Sequence, residues 1–455
     1  MKISKVIFYG SIVATYFIVL HIFFPPWLNS PIKQGIDSLF TNFSANWLLI
    51  FPFIGLVALC GLLIYYGIHF VASFGISYKS KKYYYPSTSI IIASKNEKPL
   101  LARTLKSIMN TEYPKDKIQI ITVTSGSTDS STEFCEKFAK ENKNIDMIVL
   151  SKSLSKKGKP AALNYGLEFV KNDICIFYDS GNVITSKTLA ELVEPFQYGN
   201  HKVTIGPMII ENWNQNKWTR AAALTYVFSA GGNMYFHVKN KLGSSAYLFG
   251  RNFAIKTKLL KDLGGFNENS LTEDLYLTVL LNLKGEKILF VPKARAYDIT
   301  PNNWNAIKKQ RTRWVGGYVG DAPDLTKLKK GNKNGQSIII SRNLSMLLLH
   351  HLDVCLLVIA GFVVFYALIG FYYMFAWTLS LFIFVFGYLF NGIRKYGDKH
   401  YSLFLWAPVS SRITLFMFSL QFTLPAAPDI SWEKTPMILE KGQEEIESII
   451  SATTN

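Results

Sequence analysis

Apolar and polar positions fall into three regimes along the chain. Val6 to Phe24 is a mainly apolar run of membrane-spanning length, broken by single polar residues such as His21. Lys2 and Lys5 precede it, Pro25-Pro26-Trp27 follows, and no small-residue cleavage site is present. It therefore reads as a retained anchor rather than a cleaved leader. A second run, Trp47 to Ser77, has no acidic or basic residue apart from His69 and ends in Lys79, Lys81 and Lys82. That basic flank places its end in the cytoplasm. Residues 1–77 are expected to supply two N-terminal transmembrane helices.

From Tyr78 to Gly335 the pattern becomes charged, periodic and punctuated by glycine, over about 250 residues, enough for one α/β domain. Ser89 to Ala93 is a short β-branched run followed by a helical pattern from Leu100 to Met109. Ile118 to Val123 repeats the theme, with a helix starting near Asp129. A third unit joins Met147 to Leu150, a helix over Ala161 to Val170 and a strand over Ile174 to Tyr178. This alternation predicts a largely parallel sheet with ligands bound just beyond the strand carboxyl ends. After residue 335 the chain turns apolar again, and Leu347 to Phe390 can hold two spans with a break near Gly370. Arg394, Lys395 and Lys399 then mark a return to the cytoplasm. Tyr401 to Leu424 carries Pro408, Ser410, Ser411 and Arg412 internally, which favours an interfacial helix over a fifth span. Residues 336–424 are thus expected to be transmembrane and interfacial helices, and 425–455 a cytoplasmic tail.

The chain has 455 residues, 49% of them hydrophobic, and a net charge of +18. The basic residues are dispersed, and several clusters sit beside the apolar runs, which points to membrane lipids as partners and away from nucleic acid. Four cysteines without a CxxC or Cys/His cluster indicate neither a zinc site nor a disulfide framework.

Displacing a nucleoside diphosphate from an anomeric carbon needs a base for the incoming hydroxyl, charge neutralisation for the leaving group and a platform for the acceptor. Asp179 follows the strand ending at Tyr178, where a carboxylate can hold a divalent cation against two phosphates, although taken alone such an Asp is more often a turn residue or helix cap. Leu271-Thr272-Glu273-Asp274-Leu275 opens a helical pattern, with Thr272 placed to cap it; acids there also complement a helix dipole. Gln310-Arg311-Thr312-Arg313-Trp314 sets guanidinium groups beside an indole, suited to phosphate and to a sugar face, or to anchoring at an interface.

In their order, these segments resemble the processive membrane-bound family 2 glycosyltransferases, the cellulose, chitin, hyaluronan and poly-N-acetylglucosamine synthases, from about Ser89 to Gly317. Ala93 to Glu97 looks like their first nucleotide-contacting loop, Gly158 to Asn164 like their Lys-containing loop, and Gly264-Gly265-Phe266 precedes Thr-Glu-Asp as in the family. The Gln-x-x-Arg-Trp motif is the most specific element. The resemblance implies a GT-A (Rossmann-like) α/β domain inserted between transmembrane helices, inverting transfer from a UDP-sugar to a growing polysaccharide, and a Mg²⁺ or Mn²⁺ ion. Single-sugar transfer to a lipid-linked acceptor, or a weakly active scaffold role, are the alternatives. It implies an integral protein of the cytoplasmic membrane with its catalytic domain in the cytoplasm. By the same resemblance Asp274, beside Glu273, is the general base and Asp179 the metal ligand. Glu97, Lys159, Asp129 and Arg313 contact the donor, while Gln310, Arg311 and Trp314 shape the acceptor end. Trp432, Lys434 and Thr435 match a mobile gating loop that folds over the donor.

Two motifs depart from the family. The usual Asp-x-Asp reads Asp179-Ser180-Gly181-Asn182, and the usual Asp-Asp-Gly-Ser reads Thr124-Ser125-Gly126-Ser127. Asn182 and Asp129 are the candidates to replace the missing carboxylates. His350, His351 and Asp353, near the start of a predicted span, mark either a polar pathway or the headgroup boundary.

Overall fold

The computed structural model describes residues 50–152, 154, 158–228, 232–321, 324 and 352–424, with Gly10, Ser11, Val13, Gln34, Asp37, Ser38 and Thr41 before them. Apart from Gly10, Ser11 and Val13, the first predicted span lies outside the described residues, as do His350, His351 and the Trp432–Thr435 match.

Strands β1 (Thr88–Ala93), β2 (Ile118–Val123), β3 (Asp146–Leu150) and β4 (Ile174–Asp179) form the parallel half of a seven-stranded sheet ordered β3-β2-β1-β4-β8-β6-β9. The expectation of a largely parallel sheet needs correction at β4. There β8 (Phe253–Lys256) runs antiparallel to both β4 and β6 (Val203–Ile205), while β9 (Ile288–Phe290) is parallel to β6. A small second sheet is ordered β5-β10-β7, from Val183–Ile184, Ala296–Asp298 and Met208–Ile210. The switch to antiparallel pairing was hidden because a short strand buried on both faces, such as Phe-Ala-Ile-Lys, has no periodicity that reports its direction.

Both faces of the main sheet are covered, which is why its strands are continuous β-branched runs. Ile91, Ile121 and Phe177 pack on one face, and Ile90, Ile92, Ile120 and Ile176 on the other, against Leu101, Leu105 and Leu189. The helix Lys159–Glu168 lies on the first face at Gly166, where an added Cβ would come within 2.9 Å of Ile91 and 3.2 Å of Val123. That close approach fixes the helix, and with it Lys159 at its N-terminus.

The helix Ile50–Ser73 packs along Tyr372–Tyr396, with Phe70 filling the notch at Gly387 and Asn391 Nδ2 donating to Ser73 Oγ at 2.8 Å. The expected break near Gly370 is present as a left-handed turn (φ +69°) between Leu352–Leu368 and Tyr372–Tyr396. Tyr401–Leu424 divides into a 3-10 turn, Tyr401–Trp406, and a helix, Ala407–Thr423. Met374–Tyr396 and Tyr401–Thr423 are long and apolar enough to cross a membrane. Asp353, on Leu352–Leu368, is buried against Ala407–Thr423, accepting from Ser410 Oγ at 2.6 Å and Thr414 Oγ1 at 3.1 Å. The linker from Ser73 to β1 is strapped to the α/β domain by two buried carboxylates of the next layer. Tyr78 and the Lys81 amide donate to Glu194, at 2.5 and 2.9 Å, and Ser80 and Tyr83 donate to Glu191.

Candidate active site

The carboxyl ends of β1 and β4 lie side by side, with Ala93 paired to Asp179. Asp179 is the last residue of β4, and its two oxygens meet two cations: Lys159 Nζ at 2.5 Å from Oδ1 and Arg251 Nη1 at 3.6 Å from Oδ2. Lys159 reaches on to Glu273 Oε1 at 3.6 Å and donates to the Gly250 carbonyl at 3.1 Å. Asp274 completes this group. A Cβ added to Gly250 would meet both Lys159 Nζ (3.0 Å) and Asp274 Oδ2 (3.3 Å), so only glycine lets the backbone come this close, and it does so at φ +66°.

The charges shift one another. Burial, reinforced by the neighbouring Glu273, pushes the Asp274 carboxyl up to about 7, against the pull of Lys159. Burial alone would depress Lys159, but Asp179 and Glu273 carry it above the ordinary lysine value. A carboxyl poised near neutrality is suited to accepting a proton from a sugar hydroxyl.

Arg251 extends the cluster. Its Nη2 pairs with Asp298 at 2.9 Å and donates to the Tyr226 hydroxyl at 3.0 Å. Next to Tyr226 comes Arg311, whose guanidinium lies 5.8 Å from that ring centre and 4.0 Å over the ring of Trp314. The helix Trp304–Gly320 that carries them is fixed against the Thr-Glu-Asp segment at Gly317, where a Cβ would lie 2.7 Å from Thr272. A continuous set of contacts thus joins Asp179, the Glu273-Asp274 pair and the Arg311-Trp314 segment across three distant stretches of sequence.

Residues 86–317 match the sequence profile described as Glycosyltransferase like family 2. The chain belongs to the family 2 glycosyltransferases. It is 29% identical over 236 residues to a probable glycosyltransferase, YdaM, of Bacillus subtilis, covering 51% of this chain and 55% of that protein. It is 27% identical to a beta-monoglucosyldiacylglycerol synthase of Nostoc (58% and 57% covered) and 26% identical to a poly-beta-1,6-N-acetyl-D-glucosamine synthase of Staphylococcus epidermidis (67% and 72%). The match therefore spans little more than half the length of the first two relatives. A mannosyltransferase of Pyrobaculum calidifontis, solved with GDP-Man and Mn²⁺, superposes with a TM-score of 0.49 at 16% identity over 80% of this chain and 98% of its own. As the family match implies, the mixed sheet is that of a GT-A-like glycosyltransferase.

Within this glycosyltransferase several expected residues also make structural contacts. Thr272 stands at the N-cap of Glu273–Leu283 without capping it: its hydroxyl donates to Asp321 at 3.0 Å, alongside Ser270 at 2.6 Å. Asp129 ties the loops after β1 and β2 together, accepting from the amides of Lys98 (3.0 Å) and Ser131 (3.2 Å). Asn182 is fully buried and turned back on the chain, its Oδ1 accepting from the Asp179 amide at 3.0 Å. Glu97 accepts from Ser180, bridging the ends of β1 and β4. Gln310 is buried, and among the described residues its Oε1 has no hydrogen-bond partner. Arg313 lies on the same helix with Nε buried and, among the described residues, likewise unpartnered.

Among the described residues no group of three or more His, Cys, Asp or Glu is arranged to hold a metal ion by itself. A hard cation carried in on a diphosphate needs only one or two protein carboxylates. Asp179, partly exposed at the strand end, fits that lesser requirement.

Sequence reading missed Arg251, Asp298 and Tyr226. Asp298 ends β10 as Asp179 ends β4, so the rule that singled out the one applied equally to the other. Arg251 follows a glycine at the entry to β8 and carried no comparable signal.

Proposed function

We propose that the chain is a membrane-embedded, inverting glycosyltransferase that moves a sugar from a UDP-sugar to a growing polysaccharide on the cytoplasmic face. The observation that carries this is the placing of Asp274, raised to about 7, in one contact network with Asp179 and the Arg-Trp helix. Asp274 takes the proton of the acceptor hydroxyl as oxygen attacks the anomeric carbon. Lys159 orients the two acids and supplies positive charge next to the diphosphate, and Arg313 steadies that group as it leaves. Asp179 would hold a divalent cation, which when bound neutralises diphosphate charge. Trp314 offers its ring to the acceptor sugar, with Gln310 beside it. The apolar helices Ile50–Ser73, Leu352–Leu368 and Tyr372–Tyr396 support the membrane reading, as does the basic end of the last.

The lipid-synthase relative keeps a second reading open, in which one sugar passes to a lipid acceptor. Incubating purified protein with labelled donor and sizing the product separates the two. Label in high-molecular-weight, detergent-insoluble glycan supports the polymerase, and label confined to a short organic-soluble species rejects it.

A further inference from the structure

The four residues after the apolar helix Tyr372–Tyr396, Gly397 to His400, hold on to the small β5-β10-β7 sheet at two points. Arg295, just ahead of β10, reaches them with both arms of its guanidinium: Nη1 pairs with Asp398 at 2.7 Å and Nη2 donates to the Lys395 carbonyl at 2.8 Å. His400 stacks on Trp213, three residues beyond β7, with ring centres 4.0 Å apart and planes 21° from parallel. Between these holds, Asp398 and Lys399 both take left-handed backbone, φ +45° and +61°, although neither is glycine. Two such residues in a row persist only where contacts on either side fix them.

The sheet they hold frames the transfer site. β5 begins four residues after Asp179 and pairs with β10, Val183 opposite Tyr297. β10 ends in Asp298, which pairs with Arg251 at 2.9 Å, and Arg251 lies 3.6 Å from Asp179. Just beyond β7 the Glu211 amide donates to the Asp298 carbonyl at 2.9 Å, and the Asn212 side chain bonds both the amide (2.9 Å) and the carbonyl (2.8 Å) of Thr300. The other partner of Arg251, the Tyr226 hydroxyl, is tied in as well: Tyr226 lines a small cavity with Trp213, Tyr396, Gly397 and His400. Arg295 and Asp298 stand three residues apart on one short paired strand, so a shift imposed at its start is carried to its end.

We propose that Arg295 and Asp398 are positioning residues, through which the end of the helix Tyr372–Tyr396 sets where the small sheet holds Arg251 and Asp179. The proposal rests on the reading of this cleft as a sugar-transfer site. Neither residue touches a reacting group; both act through β10.

The full chain is compared in phosphatidylcholine nanodiscs as wild type, R295M, R295K, D398N and R295M/D398N, with K202M as a control that breaks the exposed Lys202–Glu286 pair. Asparagine tolerates left-handed backbone, so D398N removes the charge without adding strain. R295M and D398N should each speed hydrogen exchange in residues 249–253 and 296–300. Each should raise the donor KM about three- to tenfold with kcat changed less, and the double variant should do no more than either alone. Asp274 is faced by Glu273, Lys159 and Arg251, and Arg251 is among the charges that pull its carboxyl down, so loosening Arg251 should move the acid limb of turnover to higher pH. R295K should recover most of each effect, and K202M should show none. Exchange and acid limb unmoved in R295M, or moved equally in K202M, overturn the proposal. Should R295M fail to fold, D398N and R295K decide by the same two readings. Exchange is read without turnover, so faster exchange in the variants with no nucleoside diphosphate released by wild type would sink the transfer reading and leave the coupling standing.

Discussion

Asp274 shows how a single carboxyl gains its chemistry from its neighbours. Since its pKa is raised to about 7, the fraction able to accept a proton grows with pH, and transfer should rise through an acid limb near that value. Asp274→Asn should lower kcat by about 10²–10⁴-fold with donor affinity little changed, read from steady-state release of nucleoside diphosphate. Lys159→Met removes the ammonium that opposes the rise, so the acid limb should move to higher pH; an unmoved limb would separate Lys159 from the base. Linkage gives the opposite sign for stability. A carboxyl whose folded value exceeds its usual 3.8 contributes fully below that pH and loses its contribution as pH climbs through about 7. Gly250→Ala meets both Lys159 and Asp274 and must hold φ +66°, so activity should fall even where the thermal midpoint drops only slightly.

At the scale of elements, the parallel strands, the helices after them and the break at Gly370 were legible because period and punctuation are local properties. Asp179 and the Thr-Glu-Asp segment were likewise legible, one from its place after a strand and the other from opening a helix. Arg251 and Tyr226 were not, since their meaning arises only when the antiparallel β8 and the helix Lys217–Phe228 fold beside β4. Thr272 was misread for a related reason: a hydroxyl at an N-cap normally serves its own helix, but here Asp321 of another helix end claims it. The seam at Gly317 links these elements. Gly317→Val should push the Arg-Trp helix off Thr272, cutting turnover at least tenfold while stability falls by about 1–3 kcal/mol, as overpacked sites do.

For the whole molecule, the contacts of Ile50–Ser73 with Tyr372–Tyr396, and of Ala407–Thr423 with the Lys217–Phe228 and Trp304–Gly320 helices, make the apolar and catalytic parts one packed body. Arg412 adds to this, lying 4.8 Å over Trp304 and 5.5 Å over Trp218, which stack at 5.0 Å. Arg412→Ala should therefore lower the thermal midpoint measurably, through lost packing as much as lost charge. The strap at Glu191 and Glu194 bears on how a soluble catalytic fragment can be cut. A fragment beginning at Thr88 strips both acids of the phenol and hydroxyl groups that satisfy them, leaving two bare carboxylates inside the protein. One beginning a few residues ahead of Tyr78 retains every donor, and should be the version recovered from the soluble fraction when the two are expressed side by side.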